Sequence, residues 1–191
     1  MKRLAIVTGI LALAAPLGLA QTSTWVSDSN HSEVDFSIVH MSISKVHGRL
    51  GNVAATIQYN AADIGKSSVQ ATIDVNTIDT GVQARDTDLR GGNYFDVATF
   101  PTATFTSTSV TRNGGGLAVA GNLTMHGVTK PVVLDVVGPS APVTDRRNNV
   151  HFGFSATATL SRAAFGIAPK TPAALLGDEV KITIEIDAVK Q

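Results

Sequence analysis

Much of this chain alternates apolar and polar side chains with a period of two, a rhythm that suits a half-buried strand and cannot build the apolar stripe of a helix. Val34, Phe36, Ile38 and His40 share one face of residues 33–40, against Glu33, Asp35 and Ser37. Val53, Ala55, Ile57 and Tyr59 repeat the pattern, as do Val69, Ala71, Ile73 and Val75, then Ala103, Phe105 and Ser107. Leu117, Val119, Gly121 and Leu123 follow, and Val132, Leu134 and Val136 share a face in a run that is apolar on both sides. Val150, Phe152, Phe154, Ala156, Ala158 and Leu160 oppose His151, Ser155, Thr157 and Thr159. Val180, Ile182, Ile184, Ile186 and Ala188 then face away from Lys181, Thr183, Glu185 and Asp187. Turn sequences such as "YNAADIGKSS", "RNGGG" and "MHGVTKP" separate the runs. The pattern predicts an all-β domain of about eight antiparallel strands.

Strands with one apolar face either close into a barrel, which leaves no free edge, or stack as two sheets. The inward positions favour the barrel. Ala55, Ala71, Ala103, Gly121, Ala156 and Ala158 are too small to fill a sandwich core and would leave room inside a ring. One segment breaks the rhythm. In "TGVQARDTDLRGGNYFDVATFP", residues 80–101, Val82, Asp86 and Leu89 fall at helical spacing before Gly91-Gly92. A short helix over about Val82 to Arg90 is expected there, in a long excursion that caps one end of a barrel.

The 191 residues suit one domain. Ahead of it, "MKR", the apolar "LAIVTGILALAA" and the small residues Gly18 and Ala20 form the pattern of a cleaved export signal. Its apolar run, about 12 residues, is short for a membrane span. Residues 1–20 are therefore expected to be a signal peptide and 21–191 the mature domain, periplasmic or secreted. Loss of Lys2 and Arg3 makes a formally neutral chain slightly acidic, and it has no basic run. Nucleic acid is not an expected partner. The chain has no cysteine, which excludes disulfides, thiolate metal sites and a cysteine nucleophile.

Five histidines are present. Zinc sites commonly show as closely spaced histidine pairs. His40 and His47 would lie on opposite faces of an unbroken strand, although "MSISKVHG" could hold a bend, while His126 falls in a turn and His151 on a polar face. Neither a metal nor another cofactor is expected. His40 reads as a hydrogen-bonded core histidine or as a polar group at a cavity mouth. No G-x-S-x-G or S-x-x-K motif occurs, and "GGGLAVAG" lacks the GK[ST] end of a phosphate loop. "RDTDLR" gathers Arg85, Asp86, Asp88 and Arg90, either as a solvated, ion-paired face or as a receptor for an anionic head group through Arg85 or Arg90. Tyr94, Phe95, Phe100 and Phe105 follow the helix, with Phe36, Phe152, Phe154 and Phe165 elsewhere. They read as core, or as the lining of a cavity for an apolar chain. Each buried methylene is worth about 0.8 kcal/mol, so ten carbons would gain roughly 8 kcal/mol before ordering costs.

Four blocks, in order and over nearly all of residues 21–191, carry a family likeness. They are "SNHSEVDFSIVHM" with "VHGRLG", then "RDTDLRGGNYFDVATFPTATFTS", then "GNLTMHGVTKPVVL", and finally "LSRAAFGI" with "LGDEVKITIEIDA". The chain resembles the YceI-like, polyisoprenoid-binding family. That resemblance implies a single antiparallel, lipocalin-like barrel with a short capping helix and a long apolar cavity, holding an isoprenoid or similar amphiphile in the periplasm. The matching positions are His31, Ser32, Phe36, His40, Gly48, Arg85, Leu89, Phe95, Phe105, Arg162 and Phe165. "GGNYFD" and Ala163-Ala164 depart from the family pattern near the expected rim, where they bear on ligand identity.

Residue pattern and resemblance together give a ligand-binding set of Phe36, Ile38, His40, Arg85, Leu89, Phe95, Phe105, Phe152, Phe154 and Phe165. The tail would lie among Phe36, Ile38, Phe105, Phe152 and Phe154, with His40 or Arg85 at the head. The expected partner is a hydrophobic small molecule of isoprenoid, quinone or fatty-acyl type, with room for transient membrane contact and for a homodimer. The leading expectation is a binding protein and not an enzyme. Its rivals are an envelope stress or interaction protein that uses the barrel as scaffold, and an enzyme acting on such a lipid with His40 as general base.

Overall fold

The computed structural model describes residues 21–191. The expected export signal lies outside the described residues. The chain forms β1 (Ser23–Ser27), β2 (Glu33–His40), β3 (Ser44–Leu50), β4 (Val53–Tyr59), β5 (Ser68–Asp74), β6 (Thr102–Asn113), β7 (Gly116–Met125), β8 (Val128–Val137), β9 (Val143–Thr144), β10 (Val150–Ser161) and β11 (Leu176–Lys190); the alternating runs account for all but β1, β3 and β9. All their pairings are antiparallel. Eight of them form a ring in the order β11-β1-β4-β5-β6-β7-β8-β10. The ring closes through a β10–β11 ladder that runs from His151↔Val189 to Ser161↔Glu179. The fold is therefore the barrel and not the two-sheet sandwich. On its other edge, β11 pairs with β1 near its C-terminus and with β2 nearer its start. The β2–β3 hairpin consequently extends one wall past the ring, and β9 adds a short rung to β10.

Period two decides what points inward. Val53, Ala55 and Ile57 are buried while Ala54 and Thr56 are exposed, and Leu117, Val119 and Leu123 are buried along β7. Gly121 has a specific reason to be glycine: a Cβ there would overlap the Phe105 ring packed across from it. Parity fails once. A register shift between Ser107 and Ser109 adds a residue to β6, and the Ser107 hydroxyl accepts a hydrogen bond from the Val69 N–H at 2.8 Å. The bulge reverses the faces beyond it, so Val110, on the outward side by strict alternation, turns inward and is only 3% exposed.

The excursion between β5 and β6 contains α1 (Gln83–Arg90), with Val82 as its N-cap. Val75 and Ile78 plug the barrel end, Ile78 at 0% exposure. "RDTDLR" is not the solvated, ion-paired face that its composition suggests. Asp86 is 7% exposed, and its carboxylate accepts from the N–H and hydroxyl of Thr80 at 2.9 and 2.5 Å. Arg85 donates to the Thr80 hydroxyl and carbonyl at 2.7 and 2.9 Å. Arg90 donates to the carbonyls of Asn76 and Ile78 at 2.9 and 2.6 Å. These charges hold the excursion to itself.

A buried guanidinium organises the segment between β10 and β11. Arg162 donates to the carbonyls of Gly177, Ile167, Thr171 and Leu176 at 2.9, 3.1, 2.7 and 2.8 Å, and also to that of Ala168. Removing it would leave several carbonyls without a donor. Arg162→Met is expected to lower the unfolding free energy by about 3 kcal/mol or more, read by urea denaturation. Arg146→Met, on an exposed turn, should stay within about 0.5 kcal/mol. Equal effects of the two would contradict this role for Arg162.

Candidate functional site

Inside the ring lies a cavity of ≈ 180 Å³. Its wall holds no carboxylate, imidazole, amine or guanidinium, and Tyr59 and Ser67 are the polar residue types on it. The small inward residues make the space: Ala55, Ala71, Ala103, Ala156 and Ala158 all line it. Along β6 the lining runs from Ala103 to Val110, about 20 Å at the rise of a strand. The cavity is thus long and narrow. Among the described residues, no buried side-chain nitrogen or oxygen lacks a hydrogen-bond partner.

The residues expected at the site are divided by the fold. Phe105 and Phe154 line the cavity. Phe152 shares their strand face but stacks on Trp25 beyond the lining, with ring centroids 3.5 Å apart and planes 26° apart. Phe154 meets Phe152 edge to face at 4.7 Å. Leu89 and Phe95 pack at the capped end, against the cluster of Val34, Leu50, Val53 and Ile78. Phe165 is buried in the Arg162 segment, against the cluster that contains Phe105. Phe36 packs half-buried against that same capped-end cluster, Ile38 lies half-buried farther along the β2–β3 hairpin, and His40 is exposed at the end of β2. Arg85 is committed to Thr80. Trp25 stands in a run too short to show a period, so the sequence pattern does not mark it.

A family model described as YceI-like domain matches residues 25–188. The chain belongs to this family. Protein YceI of Salmonella newport (strain SL254) is 34% identical over 166 residues, covering 86% of this chain and 84% of that one. The crystal structure of Burkholderia cenocepacia BcnA matches with a TM-score of 0.72 at 24% identity, over 84% of this chain and 98% of its own. A polyisoprenoid binding domain from Saccharophagus degradans matches with a TM-score of 0.62 at 17% identity, over 90% and 100% of the two chains. The two structural likenesses speak for the fold.

In this YceI-like domain the cavity wall is thinly laddered between β8 and β10. Their ladder covers only Asp135–Val137 against Ser155–Thr157, although Val132, Leu134, Ala158 and Leu160 continue to line the cavity beyond it. Phe165 and Ile167 pack over this stretch, and the His126 ring nitrogen Nδ1 lies 3.1 Å from the Phe165 carbonyl oxygen. Asp178 fastens the start of this cover, accepting from the Ala163 N–H at 3.0 Å. Its carboxyl titrates below the ordinary 3.8, chiefly through the Ser161 hydroxyl, then the Ala163 N–H and the nearby Arg162 charge. A carboxyl with a lowered folded pKa adds stability that is present above its unfolded pKa and is lost as pH falls through the folded value. Between about pH 5 and pH 3, the protein should therefore lose more stability to urea than Asp178→Asn does. Equal losses would contradict the role assigned to this carboxylate.

Proposed function

We propose that this YceI-like domain carries or sequesters a long-chain amphiphile, a polyisoprenoid first among candidates, with the chain threaded into the barrel and the head left outside it. The observation that carries this reading is the cavity itself: long, narrow and walled by apolar side chains with no charged group. Such a wall recognises a chain by burial alone. About ten methylenes at about 0.8 kcal/mol each would offset the cost of ordering the ligand. A wall without a carboxylate, imidazole, amine or guanidinium also gives no charged anchor for chemistry on that chain, which favours a binding protein over an enzyme. The name of the Saccharophagus degradans domain points the same way. Placement in the periplasm rests on the N-terminal sequence pattern.

In this reading Phe105 and Phe154 contact the chain, and the weakly laddered β8–β10 stretch under Phe165 is its way in. The single tryptophan is a built-in reporter, because Trp25 stacks on Phe152, which touches Phe154. The protein purified from its own periplasm, extracted into organic solvent, should yield roughly one isoprenoid or acyl molecule per chain by mass spectrometry. A lipid-free extract, together with no change in Trp25 emission on titration with a polyprenol, would overturn the reading and leave the barrel as an interaction scaffold. Ala156→Phe places a ring where the wall now has a methyl group. It should lower retention about tenfold or more, the equivalent of roughly two lost methylenes. Undiminished retention in a folded Ala156→Phe protein would place the ligand elsewhere.

A further inference from the structure

A separate concentration of chemistry lies on the outer wall. The turn after β1 carries Asp28 and His31, β11 carries Asp187, β10 carries His151, and Asp145 lies just after β9. The turn is clipped to β11 at this point. The Asp28 N–H donates to the Asp187 carbonyl at 2.8 Å, and the Ser32 hydroxyl donates to the same carbonyl at 3.3 Å while accepting from the Asp187 N–H at 3.2 Å. One ligand atom from each of Asp28, His31 and Asp187 lies within 4.8 Å of the other two. His31 Nδ1 is 2.9 Å from Asp28 Oδ2. His151 Nδ1 is 2.7 Å from Asp187 Oδ1, and its Nε2 is 3.4 Å from Asp145 Oδ2. His31, His151, Asp145 and Asp187 all border an open cavity of ≈ 930 Å³.

Three carboxylates meet here with two imidazoles. Among the described residues, no lysine or arginine forms an ion pair with Asp28, Asp145 or Asp187. An acidic cluster alone would only attract counterions from solvent. The imidazoles change the chemistry, because nitrogen and carboxylate donors together select a borderline metal such as zinc, whereas calcium and magnesium take oxygen donors. Tetrahedral zinc, with bonds of about 2.0–2.1 Å, spaces its ligand atoms about 3.3 Å apart. The His31–Asp28 pair would open slightly and Asp187 would close in. His31, with its side chain 68% exposed, is free to make that adjustment. His151 would then do what outer partners of metal ligands do, orienting the Asp187 carboxylate by a hydrogen bond.

We propose that Asp28, His31 and Asp187, backed by His151, form a zinc-class divalent metal site on the outside of the barrel, with its remaining position open to solvent. None of these four residues lines the apolar cavity, and the site does not depend on lipid carriage. The test is calorimetric titration of chelator-stripped protein with zinc chloride at neutral pH. One zinc per chain is expected, with micromolar or tighter affinity, weakened at least about tenfold in His31→Gln and in Asp187→Asn. The double variant His40→Ala, His47→Ala, which removes two exposed imidazoles elsewhere, should bind as the parent does. Nitrogen NMR of the unaltered protein keeps the test independent of variant folding: zinc should shift the ring nitrogens of His31 and leave those of His40 and His47 in place. No saturable binding below about 100 μM, undiminished binding in the folded His31→Gln protein, loss in the double variant, or ring shifts at His40 and His47 in place of His31 would each overturn the proposal.

Discussion

The register of β11 is the constraint on which the rest depends. One strand pairs with β10 along one edge and with β1 and β2 along the other, so it closes the ring and anchors the projecting hairpin. Its inward residues Ile182, Ile184 and Ile186 line the cavity, and the intervening Lys181, Thr183 and Glu185 are exposed. A slip of one residue would exchange the two sets and drive charge into an apolar space. The same register sets Asp187 beside His151 on the outer wall. Cavity and surface cluster are thus two faces of one alignment.

The cavity follows from how volume is distributed around the ring. Phe105 fills the space above Gly121, while alanines at other inward positions leave room unfilled. Unfilled volume costs stability because its lining atoms lack partners on one side. The structure offsets this with a nearly continuous ladder and with one tightly bonded end, where Asp86, Arg85 and Arg90 secure one segment and Arg162 the segment beside it, the two joined by the Ala168 N–H donating to the Asn93 carbonyl. A chain in the cavity would restore the missing contacts and stabilise the folded state in proportion to its concentration.

Alternation alone makes the strands legible in the sequence, β1, β3 and β9 excepted, and the small inward residues point to enclosed space at Ala55, Ala71, Ala103, Ala156 and Ala158, all of which line it. The family resemblance supplies the fold by name. Other features escape because they depend on partners distant in sequence. The β6 bulge is set by Val69 meeting Ser107, and strict period two assigns the wrong face to Val110. Phe36, Ile38 and His40 share the cavity-facing side of β2, yet Phe36 packs into the capped-end cluster while Ile38 and His40 lie farther along the projecting hairpin. Phe152 and Phe154 have the same parity, but Trp25, delivered by the short β1, claims the first. Composition marks Asp86 for solvent, whereas Thr80 draws it into the capped end. Histidine spacing hides the outer cluster entirely, since Asp28, His31, His151 and Asp187 meet only through strand pairing.

The most direct measurement of the central claim is an isotope-filtered NMR experiment on the protein loaded with a carbon-13-labelled acyl or prenyl chain. Contacts from the labelled chain to the Ala156 methyl group and to the Phe105 and Phe154 rings are expected, with none to Val133 or Val137, which are exposed on β8. Contacts to those outer residues, with none to Ala156 or Phe105, would show that the barrel interior is not the binding site and would contradict the account.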